Sequence, residues 1–415
     1  VVAVAPSPTS SSSDSDMAVM QAQAKALIAF KDAITNDPHS CLSSWTSTTS
    51  TSNSNSNTNT DTDTDTDADT DTDTTATPSY CSAWYGLLCD DSFHITSLNL
   101  NSCSLSGSIS PSLALLPSLS ILDLSYNNFS GPLPSSLSSS LTHLDLRYNA
   151  LLSGHIPTSL ILNSPNLQTL LLIDTRLSGV VPPEMWTHLP SLQKLVIIDD
   201  SSPPLLSISP TSFPSSANFA FCATIQVFQL AGLDASGASF PSSLGDCQQL
   251  QTLILTTTGL QGSIPPSVWQ LPHLQYLVIE DLNVADAVDN NPYDPNAYKL
   301  HGSLPSTFGF CSAAGSTIQD MYIHGINLTG RIPASIGTCA SLQTLHLSYT
   351  SLEGIVPVDG LHNLTALQTL RLSQNNLTGK IESLDLSKLP NLQSFSVYGN
   401  ALEGGLPAGL TESKA

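Results

Sequence analysis

From Ile95 onward, aliphatic residues return with the spacing L-x-x-L-x-L-x-x-N-x-L-x-G-x-I-P, and Leu367–Ile381 (LQTLRLSQNNLTGKI) is the cleanest copy. Leu119–Pro134, Leu250–Pro265, Ile318–Pro333 and Leu342–Pro357 repeat it. The L-x-x-L-x-L segment predicts a short strand whose leucines point inward while the intervening residues line the opposite face. The phrase recurs about every 24 residues, a period that marks stacked structural units rather than one globular core. About twelve units open near Ile95, Leu119, Leu141, Leu167, Leu192, Ile225, Leu250, Leu274, Ile318, Leu342, Leu367 and Leu392. Asn127, Asn149, Asn375 and Asn400 should turn inward, where their amides satisfy backbone groups at the bend. Cys103 takes that position in the first unit and is expected to be a buried thiol.

This self-similarity predicts a leucine-rich-repeat solenoid of the α/β class, a superhelix with a parallel β-sheet on its concave side. Ahead of the repeats, residues 1–16 are Ser/Pro-rich and expected to be disordered. Residues 17–93 form a cap and residues 94–415 the solenoid. Within the cap, Met17–Ile34 (MAVMQAQAKALIAFKDAI) predicts a helix capped by Asp14, Ser15 or Asp16, with Met20, Ala24, Leu27, Phe30 and Ile34 on one face. An Asp/Thr-rich insertion at 46–79 carries Asp61, Asp63, Asp65, Asp67, Asp69, Asp71 and Asp73 in alternation. It lacks the Gly and closing Glu of a calcium loop and predicts a solvated, disordered segment.

Leu42-Ser43-Ser44-Trp45, followed by CSAWYGLLC with Cys81, Trp84, Gly86 and Cys89, resembles the N-terminal cap of plant-type extracellular leucine-rich-repeat proteins. The L-x-G-x-I-P segment belongs to the same resemblance, which covers about residues 17–415. It implies a right-handed superhelix, a second sheet built from the Gly-x-Ile-Pro segments, and a cap bearing a Cys81–Cys89 disulfide, whose spacing a short loop can close. It also implies the ectodomain of a receptor-like kinase or receptor-like protein, or a secreted relative of the polygalacturonase inhibitors. The family's cysteine-bearing C-terminal cap is missing after Leu392, so the chain is expected to be part of something longer or to close its last coil by other means.

Composition narrows the function. A formal charge of −22 argues against nucleic acid and against an anionic membrane surface. No apolar run approaches the roughly 20 residues of a membrane-spanning helix. Asn128, Asn327, Asn363 and Asn376 stand in Asn-x-Ser/Thr sequons and are candidate glycosylation sites; with the disulfide they favour an extracellular chain. Cys222 and Cys247 stack on neighbouring coils close enough to bond, and Cys311 and Cys339 are a second such pair although Cys311 is out of register; the resemblance implies buried free thiols instead, and free thiols are expected. No nucleophile elbow, phosphate loop or zinc motif occurs, so neither catalysis nor a metal or cofactor is expected.

The concave face carries the candidate chemistry. Early repeats present Asn99, Asp123, Asp145 and Arg147. Middle repeats present the aliphatic run Leu171, Ile173, Val196, Ile198, Val227, Ile254, Tyr276 and Val278, and late ones present Tyr322, His324, His346, Tyr349, Arg371 and Tyr398. Aliphatic surface over neighbouring strands, flanked by tyrosines, predicts a binding strip for an extracellular peptide or protein, with a co-receptor as a further partner. His324 and His346 on adjacent repeats predict a pH-sensitive contact. The Arg-x-Arg pair with which relatives of the resembling family grip a peptide carboxylate is absent, leaving Arg371 alone. Two alternatives stand beside ligand recognition. One is inhibition of a cell-wall hydrolase; the other is ice binding through Thr169, Thr252, Thr344 and Thr369, a column interrupted by Lys194, Val227, Tyr276 and Asp320.

Overall fold

The computed structural model describes residues 11–46, 79–211, 213, 219–281, 299–312 and 315–410. The Asp/Thr-rich run, the first ten residues and all but the end of Asn283–Lys299, an insertion that lengthens the eighth unit, lie outside them. Among the described residues the strands predicted from L-x-x-L-x-L line up in chain order in a 15-stranded sheet, parallel throughout except where Leu87–Cys89 caps it against Ile95–Asn99. The Gly-x-Ile-Pro segments build further strands beside it, in a five-stranded and a six-stranded sheet. Short 3-10 turns such as Pro111–Leu115 and Ala334–Thr338 return the chain along the convex side.

One continuous core runs through the coils. The inward leucines of successive strands, among them Leu98, Leu122, Leu253, Leu277, Leu345 and Leu370, are fully buried. The asparagine ladder works as expected. Asn127 Nδ2 donates to Leu100 O and Leu124 O at 2.8 and 3.0 Å, while its Oδ1 accepts from Leu105 N at 2.8 Å. Asn149, Asn375 and Asn400 repeat the arrangement. Each amide thus stitches one coil to the one before it.

The cap differs from expectation in three ways. Its helix spans Ser11–Asp32, so residues 11–16 are helical rather than disordered, and Asp14, Ser15 and Asp16 lie inside the helix instead of capping it. Ile34 leaves the helix for a strand, Ile34–Asn36, that pairs antiparallel with Ser106–Gly107. Leu27 and Phe30 seal the first coil as predicted, with Phe30 6.2 Å from Trp45 and Trp45 stacked 5.4 Å from Trp84.

Cys103 is not a thiol. It is bonded to Cys41, tying the segment after the helix to the first repeat across 62 residues. Cys81–Cys89 is formed, and Cys222–Cys247 and Cys311–Cys339 are disulfides rather than free thiols. Coil stacking brings the latter Cα pairs to 4.2 and 4.6 Å, within bonding reach. Replacing both Cys222 and Cys247 by Ser releases a loop of 25 residues in the unfolded chain. The expected cost is about 3 kcal/mol, read as a lower urea midpoint; an unchanged midpoint would show the bridge to be dispensable.

Between Ser201 and Ala223 the leucine spacing lapses, and the described residues there are built into the fold. Leu206–Ser207 pairs with Gly179–Val180, while Phe219 and Phe221 are buried around Trp186 and Phe228. These residues enlarge the core.

Candidate functional site

Parallel register sorts the concave residues into three columns. The central column runs Asn99, Asp123, Asp145, Leu171, Val196, Gln229, Ile254, Val278, Tyr322, His346, Arg371 and Ser396. Beside it lie Ile173 and Ile198, then Glu280, His324 and Ser348. Val227 and Tyr276 fall in the third column with Lys194, Thr252 and Asp320. That third column also holds the threonines, interrupted as the sequence indicated.

The predicted residues therefore form two groups. In the aliphatic group, Leu171 is only 7 % exposed and Val196 only 4 %. Strands about 4.8 Å apart let such side chains shield one another. Ile173, Ile198, Val227, Ile254, Tyr276 and Val278 are half-buried. The late group encloses a pocket of about 410 Å³ lined by Tyr322, His324, His346, Ser348, Tyr349, Arg371, Ser373, Ser394, Ser396 and Tyr398. It is built from aromatic edges, hydroxyls and one guanidinium, with no aliphatic side chain in its wall.

Contacts within the pocket fix its shape. The His346 ring meets Tyr322 edge-on at 4.2 Å, and His324 packs 4.9 Å from Tyr349. Tyr349 and Tyr398 share a 2.7 Å hydrogen bond between hydroxyls, bridging two coils over the one between them. Ser373 and Ser396 do the same on neighbouring strands, at 2.7 Å. Arg371 donates from Nε to Ser394 Oγ at 3.4 Å and is otherwise open to solvent. At the opposite end, Glu280 Oε1 lies 3.3 Å from His324 Nδ1.

Burial pushes the Tyr322 hydroxyl up, and the adjoining Glu280 carboxylate adds to this. Burial, then the charges of His324 and Arg371, hold His346 down at about 4. His346 is thus neutral in the folded chain, and protonation of its ring is displaced from the range expected for a histidine contact. The unfolded chain takes up this proton first as pH falls below 6.5. Stability is therefore fully present above that value and is lost progressively down to about 4, by about 3 kcal/mol at most. Urea midpoints between pH 7 and 4 should show this decline, and a His346→Gln variant should flatten it; identical slopes would contradict the assignment.

Sequence reading passed over Glu280 and the four serines. Glu280 follows Val278 by two residues and so shares its outward face, a signal hidden by the aliphatic run before it. Nearer the cap, Tyr126 and Tyr148 stack at 4.5 Å on the surface, and Arg147 grips Asp145 through Nη2 at 2.7 Å. Among the sequons, Asn128, Asn363 and Asn376 are exposed and Asn327 is half-buried. No group of three His, Cys, Asp or Glu side chains suited to a metal occurs among the described residues.

Comparison with known proteins agrees with this architecture. The leucine rich repeat N-terminal domain family matches residues 20–53, and leucine rich repeat families match 94–116, 118–139, 140–161 and 340–385. Fold and concave site together define a leucine-rich-repeat solenoid of the ectodomain kind. The chain is 47 % identical over 87 residues to the LRR receptor-like serine/threonine-protein kinase GSO2 of Arabidopsis thaliana, covering 20 % of this chain and 7 % of that protein. It is 29 % identical over 280 residues to receptor-like protein 9DC1 of Solanum pimpinellifolium, covering 66 % of this chain and 26 % of that protein. Among solved structures, the complex of PEPR1 with AtPEP1 superposes with a TM-score of 0.64 at 26 % identity, over 92 % of this chain and 49 % of that one. The Arabidopsis receptor kinase HAESA, solved with the peptide hormone IDA and the co-receptor SERK1, gives 0.64 at 28 %, over 93 % and 55 %. The chain is similar to plant-type extracellular leucine-rich-repeat proteins of the receptor-like class, and it spans about half of those two solved chains and 7 % and 26 % of the two receptor-like relatives. No described helix is long and apolar enough to cross a membrane.

Proposed function

We propose that the chain is the ligand-reading part of a receptor-like protein, and that a peptide, or an extended segment of a protein, lies across its late concave strands. The pocket between Tyr322 and Tyr398 carries this reading. Its tyrosines offer large rigid contact area with polar tips, its serines offer hydrogen bonds to a peptide backbone, and Arg371 offers one cation for an anionic group. The superposed HAESA structure, solved with the peptide hormone IDA and the co-receptor SERK1, supports the same class of ligand and a co-receptor as second partner. Ser373 stands where an Arg-x-Arg pair would place its second guanidinium, so the anionic grip here is a single arginine aided by hydroxyls. The function is binding without catalysis, and the exposed sequons Asn128, Asn363 and Asn376, with Asn327, are proposed to carry glycans.

The test is retention of peptides from extracellular extract on the immobilised chain, compared with Arg371→Gln/Tyr398→Ala and with Ile198→Asp/Ile254→Asp. Loss in the first variant and retention in the second would support the late pocket. Retention by both, or by neither, would contradict it.

A further inference from the structure

Resting on that reading, a second charge at the site gives the ligand a polarity. Across the concave face, Glu280 pairs with His324, His324 with Ser348, and His346 with Arg371. Glu280 and Arg371 are therefore three strand steps apart. At about 4.8 Å per step, with Glu280 two residues further along its strand, the separation is roughly 16 Å, and an extended peptide covers that in about four to five residues. The pocket of Tyr322, His346 and Tyr349 lies between the two charges.

Glu280 is built to act on something outside the fold. Its carboxylate lies beside the Tyr322 hydroxyl, whose proton it helps to retain, and its side chain stays 19 % exposed. His324 Nδ1 lies 3.3 Å away but is not aligned to donate a hydrogen bond to it. On the other side the register neighbour is Thr256, which is neutral. A carboxylate has about four acceptor positions, and these neighbours leave some of them open. His346, the register partner of Tyr322 on the next strand, is neutral in the fold and does not offset the charge as a lysine would.

We propose that Glu280 determines specificity at this site by receiving a lysine or arginine side chain of the bound peptide, about four to five residues from the anionic group that Arg371 holds. The two charges then fix both the register and the direction of the ligand across the strands, since a reversed peptide sets like charges against each other at both ends.

The experiment uses the full chain, immobilised, and a library of N-acetylated hexapeptides. One position is lysine, walked along the peptide, the rest are mixed neutral residues, and the C-terminus is either free or amidated. The expected result is about tenfold enrichment of free-carboxylate peptides with lysine about four to five residues before the end, equivalent to about 1.4 kcal/mol. Glu280→Gln should abolish the lysine preference and keep the preference for a free carboxylate; Arg371→Gln should do the reverse. Near-ultraviolet circular dichroism matching the parent chain shows that each variant is folded. Enrichment without a lysine preference, or a lysine preference unchanged by Glu280→Gln, overturns the inference and leaves peptide recognition standing. No retention of any peptide by the parent chain overturns peptide recognition itself, and the inference with it.

Discussion

Asn149→Ala should destabilise the solenoid by about 4 kcal/mol, a large effect for one side chain on a molecule with few buried polar groups to spare. The Asn149 amide is fully buried. Its Nδ2 donates to Leu124 O at 2.9 Å and Leu146 O at 3.0 Å, and its Oδ1 accepts from Phe129 N at 3.1 Å. Alanine leaves Leu146 O and Phe129 N without a partner in a place that water does not reach, and leaves Leu124 O with the Asn127 amide alone. Each such orphan costs about 1–3 kcal/mol, less whatever the bend recovers by relaxing. A matched change at Asn101, an exposed residue bonded to Asp123 Oδ2, should cost under about 0.5 kcal/mol. Urea unfolding of the two variants separates the readings. Equal midpoints would mean that the ladder contributes nothing beyond surface hydrogen bonding.

The second large effect concerns binding. Arg371→Gln combined with Tyr398→Ala should weaken capture of the peptide ligand about a hundredfold, or about 2.7 kcal/mol. Tyr398 is 57 % exposed, and its hydroxyl holds that of Tyr349. Its removal takes away contact area and frees the ring beside His324. Arg371 contributes the pocket's one permanent positive charge. Neither side chain belongs to the core, so stability should change by under about 1 kcal/mol. Ile198→Asp should act the other way round, since it places a charge in a half-buried strip of mutually packed aliphatics.

Much of this was legible in the chain because a solenoid is written locally. Each inward leucine and each ladder asparagine is fixed by its neighbours within one repeat, so spacing alone places Leu253 or Asn375. The features that escaped are those that join distant segments or depend on crowding. Cys103 looks like any ladder residue until the cap returns Cys41 to it from 62 residues away. Phe219 and Phe221 sit in a stretch without periodicity, and only packing around Trp186 shows them to be core. The columns of the concave face followed from alternation, yet how much of Leu171 and Val196 reaches solvent depends on side chains one strand away. Tyr322, His324, His346 and Arg371 could be named as neighbours, whereas the enclosed pocket needed the Tyr349–Tyr398 bridge and the serine floor.

The central claim, that ligand is read on the late concave strands, is tested most directly by photocrosslinking. A benzoylphenylalanine would replace in turn Tyr398 in the pocket, Tyr148 on the early part of the face, and the exposed Leu115 on the convex side. Each chain would be irradiated with the peptides retained by the parent. A covalent adduct at position 398, absent at 148 and 115, is the predicted result. Adducts at 148 or 115 with none at 398 would place recognition elsewhere on the solenoid and contradict the account.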